Sequence, residues 1–210
     1  MQDSDARAQI ETSLNVSRET IAALDEYAAL LKKWNPAINL VAKSTINQIW
    51  TRHFLDSAQI WQIVNPSTGR WVDFGAGGGF PGLVIAILAK ELAPSLLVTL
   101  VESDIRKATF LRQVSLSLGL STEVLAIRAE ALDSVDADYI SARAMAALPN
   151  LLELVEQHGN SGVISLFPKG KSFESELTQA KKSWTFDVQK TPSLTDPDGV
   201  ILKIEGVRRV

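Results

Sequence analysis

Cysteine is absent from the 210 residues, and only two histidines, His53 and His158, are present. The first absence excludes disulfides, thiolate zinc sites and cysteine nucleophiles. The second excludes a multi-histidine metal centre. Long apolar runs are also missing. The longest, Leu83 to Ala89, falls far short of the roughly 20 residues that a bilayer-spanning helix needs. The opening stretch, MQDSDARAQIE, is polar and acidic and lacks the basic-then-apolar pattern of a signal peptide. No membrane partner is therefore expected, and the cytoplasm is the expected location. Nor is there an excess of positive charge. The formal net charge of −3 counts against a uniformly basic nucleic-acid binder, although a basic face can sit on an acidic protein.

What remains is the composition of a soluble globular chain, 46% apolar with mixed charges, long enough for one ordinary domain and an extension. The first part reads as helical. Ser17 resembles an N-cap, and Ile21, Leu24, Ala28 and Leu31 follow at helical spacing. Asn35-Pro36 is expected to end that helix, because a residue before proline avoids the helical region. Ile46 to Ile63 is a second helix-like stretch, and 65–69 reads as a loop. This predicts an N-terminal helical extension over 1–65 and one compact core over 66–210.

Within the core, apolar runs and helical patterns alternate. Strands are expected at Arg70–Phe74, Leu96–Val101, Val124–Ile127, Tyr139–Ala142 and Val163–Phe167. Helices are expected at Leu83–Leu92, Ile105–Leu118, Leu148–Gln157 and Phe173–Trp184. Two last strands, Phe186–Thr191 and Gly199–Gly206, are placed to form a hairpin. The alternation predicts an α/β fold of Rossmann-like type, with a mostly parallel sheet and a C-terminal antiparallel hairpin.

The strongest local signal is Val72-Asp-Phe-Gly-Ala-Gly-Gly-Gly-Phe-Pro-Gly82, between an expected strand and an expected helix. Glycines there let the backbone turn sharply and approach a ligand without a Cβ in the way. The helix N-terminus adds free N–H groups for a phosphate or a carboxylate. Glu102 follows the second strand, 23 residues beyond Gly79, where a carboxylate can accept both ribose hydroxyls of an adenosine. Gly77 and Glu102 are cofactor candidates on these grounds. The device serves NAD enzymes and methyltransferases alike. An NAD-dependent oxidoreductase and a non-catalytic nucleotide-sensing regulator are thus the alternatives, the first weakened by the lack of a Tyr-x-x-x-Lys arrangement.

Residues 73–82 (DFGAGGGFPG) resemble the signature of the RsmG (GidB) family, the bacterial 16S rRNA guanine-N7 methyltransferases. Asn39-Leu40, Arg52-His-Phe-Leu-Asp-Ser57, Lys107 to Val114, Ser141-Ala-Arg-Ala144 and Lys169-Gly-Lys171 agree with that family in order and spacing, over about residues 30 to 205. Two departures stand out: Phe74 replaces a smaller β-branched residue, and Val41-Ala-Lys43 replaces a threonine-bearing stretch. Phe74 either crowds the ligand or faces the sheet core.

The resemblance implies the class I methyltransferase fold with S-adenosyl-L-methionine as cofactor, and 16S rRNA or the small ribosomal subunit as partner. The target would be a guanine N7 in the 530-loop region. Gly75 and Phe80 would line the methionine and ribose, Ala129 and Glu130 would frame the adenine, and Arg143 would sit at the mouth. A neutral guanine N7 carries a lone pair and no proton, so no catalytic base is assigned. Alignment of the two reactants is then the main contribution of the enzyme. Arg52, His53, Lys169 and Lys171 are the RNA-binding candidates. Arg52 and Asp56, four residues apart, are expected to be able to pair on one helix face. Arg106 and Arg112 read as a solvated face. A monomer is the simplest expectation.

Overall fold

The computed structural model describes residues 1–210. Two helices open the chain: α1 (Asp3–Leu14) and α2 (Arg18–Ile38). Ser17 caps α2 by accepting from the Thr20 N–H at 3.3 Å. The helix does not end at Asn35. It continues through Pro36 and stops where Asn39 takes a left-handed φ of 48° and donates to the Asn35 carbonyl at 2.9 Å. Proline in the last turn sacrifices only one helical hydrogen bond there. The buried Asn35 side chain also accepts from the Val41 N–H at 2.9 Å, which holds the residue before proline in place.

The second helical stretch is three pieces rather than one α-helix. A 3₁₀ turn spans Ile46–Gln48, a π-helical turn spans Trp50–Leu55, and α3 spans Asp56–Val64. The widened turn rotates Arg52 and His53 relative to Asp56. A π turn inside a helix frequently marks a functional position.

The core follows as β1 (Thr68–Phe74), α4 (Gly82–Leu92), β2 (Ser95–Val101), α5 (Ile105–Ser117), β3 (Thr122–Leu125), β4 (Ala137–Ala142), α6 (Leu148–His158), β5 (Gly159–Lys169), α7 (Phe173–Ala180), β6 (Trp184–Pro192) and β7 (Val200–Arg209). Helix α7 stops four residues short of Trp184, which instead opens β6 and is buried. The sheet order is β3-β2-β1-β4-β5-β7-β6, with β1 to β5 parallel. Strand β7 runs antiparallel between β5 and β6, which makes the expected hairpin.

Alternation along β1 distributes the core. Trp71 belongs to a buried cluster with α1 to α5, while Val72 and Phe74 belong to one with α6 and α7. Phe74 therefore faces the sheet core, its ring 5.0 Å from the His158 ring. The N-terminal helices share the first cluster with α4 and α5. The reversal of connection between β1 and β4 leaves a crevice at the carboxyl ends of the strands, where open α/β sheets bind ligands.

Candidate active site

The glycine loop links β1 to α4, and three independent anchors fix it. Asp73 is fully buried, and its two carboxylate oxygens accept from the Gly82 N–H at 3.0 Å and the Ser141 hydroxyl at 2.6 Å. Ser141 in turn accepts from the Trp71 indole N–H at 2.9 Å. The start of α4 is thus tied to the end of β4. Burial raises the Asp73 pKa to about 7, against the lowering effect of the Ser141 and Gly82 hydrogen bonds. The second anchor is Tyr27 of α2, whose buried hydroxyl donates to the Gly78 carbonyl. A Cβ at Gly79 would lie 2.4 Å from Leu83 Cδ1 and 2.5 Å from the Tyr27 hydroxyl, so this position has room for glycine alone. The third anchor is Glu102, which accepts from the Gly77 N–H and the Asp104 N–H, both at 2.8 Å.

Two cavities lie near this loop, one lined by Gly75 and the other by Leu40, whose backbone approaches Gly78. The smaller, about 80 Å³, is lined by Gly75, Val101, Ser103, Ile127, Arg128, Ala129, Glu130 and Met145. It brings together three of the predicted cofactor residues, Gly75, Ala129 and Glu130, with Glu102 and Gly77 joined by a hydrogen bond beside it. Val101, Ile127, Ala129 and Met145 give it apolar faces for a purine, and the neighbouring Glu102 carboxylate suits ribose hydroxyls. At Gly77, φ is +56° and a Cβ would meet only the Gly75 carbonyl, at 3.6 Å, so that face of the loop is open for a ligand.

The larger cavity, about 540 Å³, receives Arg52, His53 and Asp56 from the π turn and the start of α3. Arg143 and Ala144 enter it from beyond β4, Lys169 and Glu176 from the β5–α7 region, and Ser193, Thr195 and Asp196 from the hairpin tip. Arg143 lines this cavity, not the smaller one. Its guanidinium donates to Asp56 Oδ2 at 3.1 Å, to the Arg52 carbonyl at 3.3 Å and to His53 Nδ1 at 3.0 Å. Arginine can only donate, so His53 Nδ1 is unprotonated and Nε2–H faces Thr45 Oγ1 at 2.9 Å. Burial, then the Arg143 and Arg52 charges, lower the His53 pKa to about 3, so the imidazole is neutral.

The expected Arg52–Asp56 pair does not form. Asp56 bonds Arg143 and the Thr195 hydroxyl, and Arg52 donates to the Thr195 carbonyl at 3.2 Å. The π-helical turn, with its extra residue, removes the i,i+4 alignment that the pairing required.

Phe80 is buried and stacked between Tyr27 and His53, with ring centroids 5.4 and 4.8 Å away, and the Arg143 guanidinium lies 4.9 Å over its ring. It is therefore a platform under Arg143 and lines neither cavity. Lys169 is also spoken for. Its ammonium donates to Glu176 at 2.8 Å and to the Ala146 carbonyl at 3.0 Å. Lys171 is exposed and lies outside the large cavity, in an adjoining groove. Arg106 pairs with Asp104 at 3.0 Å and Arg112 donates to the Val124 carbonyl at 2.8 Å, so both stay on the solvated helix face.

Sequence reasoning assigned no role to Tyr27, Ser141 or the 193–196 tip, and none to Asp73 beyond its place in the motif. A carboxylate inside an apolar strand was a readable signal for Asp73. The tip had none, because its contacts lie about 140 residues away in the chain.

Solved structures share this architecture. A SAM-dependent O-methyltransferase from Thermotoga maritima aligns with a TM-score of 0.55 at 15% identity, over 74% of this chain and 66% of that one. A ribosomal protein L11 methylase from Lactobacillus delbrueckii subsp. bulgaricus aligns with a TM-score of 0.57 at 17% identity, over 72% and 76%. Fold and crevice together define a Rossmann-like α/β architecture. The family model for rRNA small subunit methyltransferase G (GidB) matches residues 20–201. The Ribosomal RNA small subunit methyltransferase G of Cereibacter sphaeroides (strain ATCC 17029 / ATH 2.4.9) is 50% identical, over 94% of this chain and 96% of its own length. That of Ruegeria sp. (strain TM1040) is 45% identical, over 99% and 100%. The chain belongs to the rRNA small subunit methyltransferase G (GidB) family.

Proposed function

We propose that the protein transfers the methyl group of S-adenosylmethionine to the N7 atom of a guanine in 16S rRNA, in the 530-loop region of the small subunit. One observation carries the reading: two separate cavities meet across a single turn. Met145 lines the small cleft beside the glycine loop, while Ala144 and Ala146 line the large cavity, which also receives charged side chains. Ala144 holds a left-handed φ of 52°, which directs consecutive residues to opposite sides. A cofactor in the first cavity and a splayed-out base in the second would be neighbours.

In this reading Gly75, Ala129 and Glu130 hold the adenosine, and Gly77 and Glu102 hold the ribose and amino-acid end. Arg143, with Phe80 beneath it, faces the reacting groups. S-adenosylmethionine supplies an electrophilic methyl on a sulfonium. Guanine N7 would take that methyl on its own lone pair, with the S–CH₃ bonding pair left on sulfur. No proton is removed, so the neutral His53 acts as a fixed wall and not as a base. The protein aligns the reactants and solvates the charge that moves onto the purine. Arg52, His53 and Lys171 are the RNA contacts, and Lys169 shapes the cavity from its bond to Glu176. Residues 1–65 form the extension that walls the base cavity against the 66–210 core. No helix is long and apolar enough to cross a membrane, and we assign the protein to the cytoplasm as a monomer.

The test is transfer of radiolabelled methyl to small-subunit RNA, followed by mass mapping of the modified nucleotide. Label on a 530-loop guanine N7 is expected. Label on another atom or region, or none, refutes the assignment.

A further inference from the structure

Beyond the hairpin tip lies a second groove, of about 460 Å³, lined by Lys171, Phe173, Lys190, Pro192, Pro197, Asp198, Gly199 and Val200. It shares Gly199 and Val200 with the large cavity, so the two form adjoining depressions on one face. Phe173 opens α7 and leaves its ring half-buried in the groove. The Lys190 ammonium stands 5.3 Å from the centre of that ring. Lys171 is exposed, two residues beyond the clamped Lys169.

We propose that this groove is a second RNA subsite, which takes the nucleotide next to the methylated guanine. The inference rests on the functional reading above and extends it. A base recognised without regard to sequence needs an aromatic face for stacking and cations for its phosphate, and this groove provides one ring and two lysines. The acidic groups facing it are Asp198 and Glu174. Glu174 holds Lys190 at 2.6 Å, but both side chains are largely exposed, 64% and 41%, so the pair yields to a phosphate at little cost. Pro192 and Pro197 stiffen the lining of the groove. A target base splayed into the large cavity draws its neighbour past Gly199, because the two depressions meet there.

The test uses fluorescence anisotropy with an oligonucleotide containing the 530-loop guanine, and the same strand with an abasic residue at each flanking position. Phe173→Leu weakens binding about tenfold, within the range for loss of one stacked base. The matching abasic strand weakens wild-type binding by a similar factor and costs the variant nothing further. Lys171→Ala, at an exposed position that folding does not need, lowers the salt slope by about one. Losses that multiply to about a hundredfold, or an unchanged salt slope, overturn the subsite. Methyl transfer by the wild type is followed in the same preparation. No transfer refutes the functional reading, whereas full transfer with multiplying losses refutes the subsite alone.

Discussion

The pH dependence of stability contains two opposed titrations, and single substitutions separate them. Asp73 keeps its proton in the folded protein up to about pH 7, while an unfolded aspartate loses it near 3.9. Its contribution is therefore full at low pH and is lost as pH rises. His53 is neutral when folded down to about pH 3, while an unfolded histidine charges near 6.5. Its contribution is full above about 6.5 and is lost as pH falls. Between about pH 4 and 6.5 the folded state thus holds one extra proton at Asp73 and lacks one at His53, and the two slopes cancel. Asp73→Asn removes the first. The stability of that variant relative to wild type then rises by about 1.4 kcal/mol per pH unit, or about 3 kcal/mol from pH 4.5 to 6.5. His53→Gln gives the opposite slope, and the double variant restores the wild-type profile. Urea unfolding at several pH values reads these differences, and the slope stays interpretable whatever each substitution does to absolute stability. A profile for Asp73→Asn parallel to wild type would refute the protonated, buried carboxyl.

Three further outcomes follow from the site. Gly77→Ala meets no clash but carries the strain of its left-handed φ, about 1 kcal/mol, which the fold absorbs, and it binds S-adenosylmethionine at least tenfold more weakly by calorimetry; undiminished affinity contradicts the loop's role. Tyr27→Phe loses the hydrogen bond to Gly78 and costs about 1–2 kcal/mol of stability in urea, and an unchanged midpoint would show that the helical extension does not brace the loop. Lys169→Ala strands Glu176 beside the cavity and lowers the melting temperature, whereas Lys171→Ala does not; equal melting temperatures would remove the distinction between clamp and contact.

The sheet and its helices were legible because their signals are local. Apolar alternation marks β1 to β5, and the glycine run between Phe74 and Leu83 marks the strand-to-helix turn. What escaped was decided by partners remote in sequence. Pro36 stays inside α2 because the Asn39 cap and the bond from Val41 to Asn35 support it. The π turn has no propensity signature, yet it redirects Asp56 from Arg52 to Arg143. Lys169 reads as a free basic residue until α7 brings Glu176 against it. Phe80 sits in the glycine motif as though exposed, but Tyr27 of α2 closes over it.

The ties from Asp56 to Thr195 and from Gln59 to Leu194 join points 139 and 135 residues apart in the chain. During synthesis, the chamber between them has no roof until the segment beyond Ser193 has emerged and docked. The same segment carries β7, which lies between β5 and β6 and buries Ile201, Leu202 and Ile204, so the sheet and the chamber are completed by one stretch of chain.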